Sequence, residues 1–408
     1  MESFTLKNGV KVILKKTNGI DVVSMRIFTS VSVISETLDK VGISYLTSKL
    51  MTKSTKNRSR EIFASDVENT GAELFGYAEY ETAGFSTTFL SMHFDEVAEI
   101  LADVVLNPAF NGKEIDSEKK DIIASIHSRK DSIKSTVFDE FAKLFYRNTP
   151  YATSVLGTEK TVLNITKSDL IGWHKYSYNA SNILFSVVGN IDKEIVKKSL
   201  EKHFSSIPSG IKFEKPIFNI INNELIKKEI KGKFNQAYIL VGFPAPNVYD
   251  EHFVSIKVIN AILGERMTSR LFTQLRIKLG LAYEVNAVYP SRREESYFAI
   301  YIGLDEKNID LALKQIDQIL KNICITSVEP HELKNTKAYI KGLYVMGRQT
   351  VSNQSYCYGW REIVGQGYEY DDKYLEDVEK ITTQNILDAA NKIFSNCSLT
   401  VIISPGKK

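Results

Sequence analysis

Arg276 and Tyr283 are the pair in this chain best equipped for chemistry, and they stand seven residues apart in GERMTSRLFTQLRIKLGLAYEVNA. A guanidinium is permanently charged and a phenol can donate one directed hydrogen bond, so both can stabilise negative charge developing on a reacting oxygen. Taken alone, such a pair reads equally as a solvated helix charge and a half-buried strand residue. Tyr45, Ser48 and Lys49, in GISYLTSKLMTKST, fall three and four residues apart and would share one helix face. A neutral phenol, a weak hydroxyl base and an ammonium make neither a metal site nor a general base. The six histidines (His93, His127, His174, His203, His252 and His331) include no pair at metal-ligand spacing. There is no G-x-S-x-G elbow, phosphate loop or dinucleotide fingerprint, and Gly365-Gln366-Gly367 is too short a signal to count.

The elements that must carry these residues alternate in kind. In the first half VSMRIFTSVSVI and ETAGFSTTFL alternate as strands, and residues 41–53, 61–71, 95–106 and 115–134 have helical periodicity. In the second half NQAYILVGFP, LAYEVNAVYP and SYFAIYIGL read as strands, and residues 250–263 and 331–347 as helices. Strands in groups with helices between the groups predict an α+β fold rather than a doubly wound parallel sheet.

The chain also repeats itself. ITKSDLIGWHKYSYNASNILFSVV from Ile165 and ITTQNILDAANKIFSNCSLTVII from Ile381 align without gaps at an offset of 216 residues. DEVAEILADVVLNP from Asp95 pairs with DLALKQIDQILKNI from Asp310, where Leu101, Val104 and Val105 fall on Ile316, Ile319 and Leu320. A duplicated unit follows: a domain over 1–204, a linker over 205–233 containing Pro208, Gly210 and Pro216, and a second domain over 234–408 carrying the Arg/Tyr pair.

A net charge of +3 on 408 residues, evenly spread, argues against nucleic acid and against an anionic membrane as partner. No apolar run approaches a membrane span. The first strand pattern, Phe4 to Ile13, begins almost at Met1 and leaves no room for a signal or transit peptide. Cys324, Cys357 and Cys397 are odd in number and lack a C-x-x-C pair, as idle thiols of a reducing compartment do. A cytoplasmic protein is the expectation.

GISYLTSKLMTKST resembles the metal-binding helix of the pitrilysin/insulinase zinc peptidases, in which H-x-x-E-H sits in the frame G-[IV]-[AS]-H-x-x-E-H-M-x-x-K-x-T. Gly42, Ile43, Ser44, Lys53 and Thr55 keep that frame, and Tyr45, Ser48 and Lys49 stand where His, Glu and His would. The third ligand, a Glu seven residues after another Glu, falls on Ser125 in the stretch from Glu118. The resemblance thus implies a degenerate zinc site at Tyr45, Ser48, Lys49 and Ser125, with no metal held by this chain. The segment from Ser269 to Tyr283 is similar to the family's S-R-L-x-x-x-L-R-x-K-x-G-L-A-Y at Ser269, Arg270, Leu271, Leu275, Arg276, Lys278, Gly280, Leu281, Ala282 and Tyr283. In the family that Arg and Tyr hold substrate and stabilise the oxyanion, which assigns those roles to Arg276 and Tyr283. Where relatives often carry a glycine-rich loop, Gly264-Glu265-Arg266 departs from the pattern. Tyr77, Glu79 and Tyr80 correspond to the edge that pairs with extended substrate.

The resemblance implies two related domains, each a largely antiparallel sheet backed by helices. It implies a subunit inactive alone, paired with a homologous H-x-x-E-H subunit that carries the zinc and acting on peptides, as in mitochondrial-processing-peptidase-like enzymes. A non-enzymatic peptide-binding or assembly protein of the same fold, like the core subunits of respiratory complexes, is the alternative.

Overall fold

The computed structural model describes residues 1–214, 216, 218 and 225–406. The chain divides into two units, each built around one sheet. The first sheet contains β1 (Glu2–Thr5), β2 (Lys11–Lys16), β3 (Val22–Thr29), β4 (Glu73–Ala78), β5 (Ala83–Leu90) and β6 (Ile183–Gly189), in the order β1-β2-β6-β3-β5-β4. The second contains β7 (Ile226–Gly232), β8 (Ala237–Ala245), β9 (Ala282–Val288), β10 (Ser296–Leu304) and β11 (Leu399–Pro405), in the order β7-β11-β8-β10-β9. Without β1 the two orders are the same circuit. In each, one pair is parallel (β2 with β6, β7 with β11) and the remaining ladders are antiparallel. The 216-residue repeat is therefore structural: β6 and β11 begin and end at equivalent positions of it. The expected α+β class, two related units with largely antiparallel sheets, is what the chain forms.

Alternation along the strands sends two sets of side chains to two faces. In the first unit Val12, Leu14, Met25, Ile27, Phe185 and Val187 join the large core with Leu46, Leu50 and Leu101 from the covering helices. The opposite face offers Ile13, Phe28, Leu184 and Val188, and the helix Val351–Val364 covers it through Tyr358. That contact is close and polar. A Cβ at Gly359 would lie 2.0 Å from the Phe28 ring, and Ser355 Oγ meets Ser24 Oγ at 2.9 Å.

The helix Val351–Val364 comes from the second half of the chain, yet it belongs to the first unit, together with the rest of 347–371. The second unit takes residues 129–147 from the first half. The single helix expected over 115–134 is two helices, Gly112–Asp131 and Ile133–Phe145. The break falls at Ser132, whose extended backbone and hydroxyl cap the second helix by accepting the N–H of Ser135 at 3.2 Å. Phe141 of that helix fills the space above Gly242 of β8, where a Cβ would come within 2.3 Å of its ring. Helices Ile309–Ile325 and Thr383–Phe394 cover the other face, with Phe394 edge-on to Phe243 and Phe298 at 5.2 and 5.3 Å.

Of the linker expected over 205–233, residues 215, 217 and 219–224 lie outside the described residues. Its last part, from Ile226, is strand β7. No helix among the described residues is long and apolar enough to cross a membrane.

Candidate functional site

In the first unit the helix Ile43–Met51 starts at Gly42, whose φ of +102° suits a glycine and whose Cβ position is closed by Leu156 O at 2.7 Å. The buried Glu36 carboxylate accepts the N–H groups of Gly42 and Ser44, each at 2.8 Å. A negative charge at the positive end of the helix caps it. Burial nonetheless lifts the Glu36 pKa to about 7, against the hydrogen bonds from Ser44 and Gly42.

The four positions that the resemblance gives to the zinc site make other contacts. Ser48, fully buried, donates to Ser44 O of its own helix at 2.9 Å. Ser125 is exposed and likewise donates to Asp121 O, four residues earlier, at 2.9 Å. Tyr45 is half-buried, and burial together with the nearby Glu118 carboxylate pushes its phenol up. The Lys49 ammonium sits over the Tyr45 ring, 5.3 Å from its centroid. Glu118, buried, is taken by Lys53 at 3.0 Å. Two hydroxyls bonded to their own helices, a neutral phenol and an ammonium are not a zinc donor set, so these residues do not fit the metal. Among the described residues no cluster of three or more His, Cys, Asp or Glu could hold one.

β4 is an edge strand, as its likeness to a substrate-pairing edge requires, but it ends at Ala78. Tyr77 is on it, with its ring against Phe28 at 6.2 Å and the Arg26 guanidinium at 5.9 Å, and burial drives its phenol pKa well up. Glu79 and Tyr80 lie past the strand in the turn to β5. There Glu79 accepts from Tyr356 OH at 2.8 Å and Tyr80 OH donates to Thr153 O at 3.0 Å.

In the second unit the segment Phe272–Lys278 is wound as a π-helix, the wider turn that recurs at functional sites. It closes through Leu279 N–H to Gln274 O at 3.1 Å and Leu281 N–H to Leu275 O at 2.8 Å. Leu271 and Leu275 anchor it in the core while Arg276 stays exposed, its guanidinium 5.1 Å from the Phe272 ring centroid. Tyr283, on β9 and 51% exposed, donates to Asp305 Oδ1 at 2.8 Å. That hydrogen bond to a carboxylate raises its pKa. Arg270 is a structural fork, with Nε and Nη2 on Glu332 at 3.0 and 2.7 Å. Gly264 is required by packing, since a Cβ would meet Ala287 N at 2.0 Å. Gly264-Glu265-Arg266, where the pattern departs, is the end of a π-helix over Ala261–Glu265; Asn260 donates to Glu265 at 2.5 Å and Arg266 Nε donates to Ala261 O at 3.2 Å.

Arg276 and Tyr283 are thus both presented to solvent, each held by a neighbour of its own. Sequence reasoning missed those neighbours and Glu36. Phe272, four residues before Arg276 on its own turn, was legible as a helical pair; Asp305, across the β9–β10 hairpin, carried no local signal.

A duplicated α+β chain with two copies of one sheet circuit and this Arg/Tyr segment has a peptidase-like fold. Residues 11–159 match the family model described as Insulinase (Peptidase family M16), and residues 164–340 match the one described as Peptidase M16 inactive domain. The chain belongs to the M16, or insulinase, peptidase family. It is 28% identical to an uncharacterized zinc protease of Rickettsia felis, over 98% of this chain and 96% of that protein. A counterpart in Bacillus subtilis is 24% identical over 99% and 98% of the two chains. The fold is that of a crystallised protease from Helicobacter pylori (TM-score 0.92, 20% identity, 99% of each chain). It is also that of a peptidase M16 inactive domain from Pseudomonas fluorescens (TM-score 0.91, 19% identity, 100% and 98% of the two chains).

Proposed function

We propose that this chain is the metal-free subunit of a two-chain zinc metallopeptidase. What supports the reading is an exposed Arg276 and Tyr283 on an otherwise well-anchored segment, together with the absence of a zinc donor set at Tyr45, Ser48, Lys49 and Ser125, the positions that the resemblance gives to the metal. A homologous H-x-x-E-H partner would bring zinc, which polarises the peptide carbonyl and activates water. Arg276 would place a fixed positive charge beside the developing oxyanion. Tyr283 would turn its proton from Asp305 to the same oxygen, so its hydroxyl works only when substrate displaces that contact. Substrates would be peptides or unfolded segments held as added strands. A cytoplasmic setting is part of the same reading.

The Tyr283–Asp305 hydrogen bond favours a second reading, a non-enzymatic peptide-binding or assembly protein, because there the phenol proton is already committed. Co-expression with an H-x-x-E-H homologue from the same genome, followed by size-exclusion chromatography and peptidase assay, separates the two. Co-elution, with activity that neither chain has alone, supports the subunit. A partner fully active by itself and eluting separately overturns it.

A further inference from the structure

The repeat that relates the two units also shows a surface that only one of them covers. In the first unit β6 is followed by the helix Lys193–Phe204, which packs on the helix Phe94–Leu106. Its Val196, Leu200 and Phe204, at i, i+4 and i+8, join the core built on β2 and β6, and Phe204 stands edge-on to Phe185 at 4.8 Å. Its polar side closes on Asp95, the second residue of Phe94–Leu106. Ser199 and Lys202 donate to that carboxylate at 2.8 Å each, and the His203 ring nitrogen lies at 3.1 Å.

In the second unit the helix Ile309–Ile325 takes the place of Phe94–Leu106, and β11 that of β6. Between them lies an open groove of about 470 Å³. Phe243 of β8 and Thr400 of β11 floor it, and Ile316 and Leu320 form its helical wall. Leu225 and Ile325 also line it while 77% and 78% exposed, so large apolar side chains stand in water around an apolar groove. Asp310, the second residue of its helix and the counterpart of Asp95, is exposed, and among the described residues no hydrogen bond or ion pair engages its carboxylate. It precedes Leu313, which lines the groove, by three residues and shares its side of the helix.

We infer that this groove takes an amphipathic helix of another protein, with apolar residues at i, i+4 and i+8 seated in it and a Lys or His on Asp310. The occupant's chemistry is read from the helix that covers the equivalent surface in the first unit. The apolar floor accepts the hydrophobic stripe, and the free carboxylate selects a basic residue beside it. The outer bank is β7, whose exposed Lys227 and Glu229 pair with each other at 2.7 Å, so the occupant is polar on that flank. The inference does not rest on the two-chain reading, because none of its residues belongs to the Arg276/Tyr283 segment or to the positions given to the metal.

The probe is a fluorescein-labelled peptide of Lys193–Phe204, held helical by a lactam between Glu194 and Lys198, which are exposed and four residues apart. Fluorescence anisotropy with the full chain should show saturable binding. A lactam peptide of the same composition with the three apolar residues moved off one face should bind at least about tenfold more weakly. Leu225→Glu and Ile325→Glu, both at exposed positions, should each weaken binding about tenfold. Asp310→Asn should cost roughly two- to fivefold, as an exposed ion pair does, and a peptide with Lys202→Glu and His203→Gln should recover affinity on Asp310→Lys. No saturable binding, or equal affinity for patterned and rearranged peptides, overturns the proposal. So does binding that Leu225→Glu and Ile325→Glu leave unchanged, which would put the peptide in the seat of its parent helix in the first unit. A chain that dimerises on size-exclusion chromatography and becomes monomeric with Leu225→Glu also overturns it, in favour of a second copy as the occupant.

Discussion

Glu36, at the start of the helix Ile43–Met51, makes the stability of the protein depend on pH with a definite sign. Its carboxyl is 5% exposed, and burial lifts its pKa from the ordinary 4.5 to about 7 although Ser44 and Gly42 donate to it. Because the folded value lies above the unfolded one, its contribution is fully present below about pH 4.5 and lost as pH rises through about 7. The interval between the two values, at about 1.4 kcal/mol per pH unit, sets the full loss at a few kcal/mol, on the order of 3. Most of that loss falls between about pH 5 and about pH 8. Glu36→Gln removes the titrating group while keeping its shape. Urea unfolding of both proteins should therefore show the stability advantage of the wild type over the variant shrinking by that amount across the interval. Glu295, which burial also pushes up to about 7, contributes the same sign in both proteins and cancels. A difference that is flat in pH, or that grows with pH, would refute the reasoning.

Asp371→Ala should destabilise the first unit by about 3–5 kcal/mol, because it removes the buried carboxylate to which the guanidiniums of Arg348 and Arg361 bond at 2.8 and 3.0 Å. Denaturant unfolding measures it, and replacing all three residues by apolar ones should recover most of the loss. In the complex with an H-x-x-E-H partner, Tyr283→Phe and Arg276→Ala should each lower turnover on the order of a hundred- to a thousand-fold with metal content unchanged. Arg276→Lys should rescue only in part, since it keeps the charge and loses the planar fork; near wild-type kinetics for both Tyr283→Phe and Arg276→Ala would make the pair structural. The isolated chain should carry no stoichiometric zinc after dialysis, by metal analysis. Tyr45→His, Ser48→Glu, Lys49→His and Ser125→Glu together should raise its zinc affinity, because they restore a donor set.

What the sequence determined by itself was local or periodic. SYFAIYIGL, a short apolar run rich in aromatic and β-branched residues, read as a strand that proves buried throughout, and the 216-residue repeat announced two copies of one sheet circuit. The expectation that this chain holds no zinc also came from residue types alone, since a phenol, two hydroxyls and an ammonium at Tyr45, Ser48, Ser125 and Lys49 are not the donor set that zinc takes. The exchange of helices between units was not. Ile133–Phe145 and Val351–Val364 have amphipathic patterns that say which residues seek cover but not which sheet supplies it, and that choice rests on fits such as Phe141 over Gly242 and Phe28 beneath Gly359. The state of the Arg/Tyr pair was likewise decided in three dimensions. The spacing of Arg276 and Tyr283 is fixed by the chain. That the phenol proton points to Asp305, and that Glu36 caps the helix Ile43–Met51, depends on residues brought near by strand pairing and turns, whose energies no local pattern records.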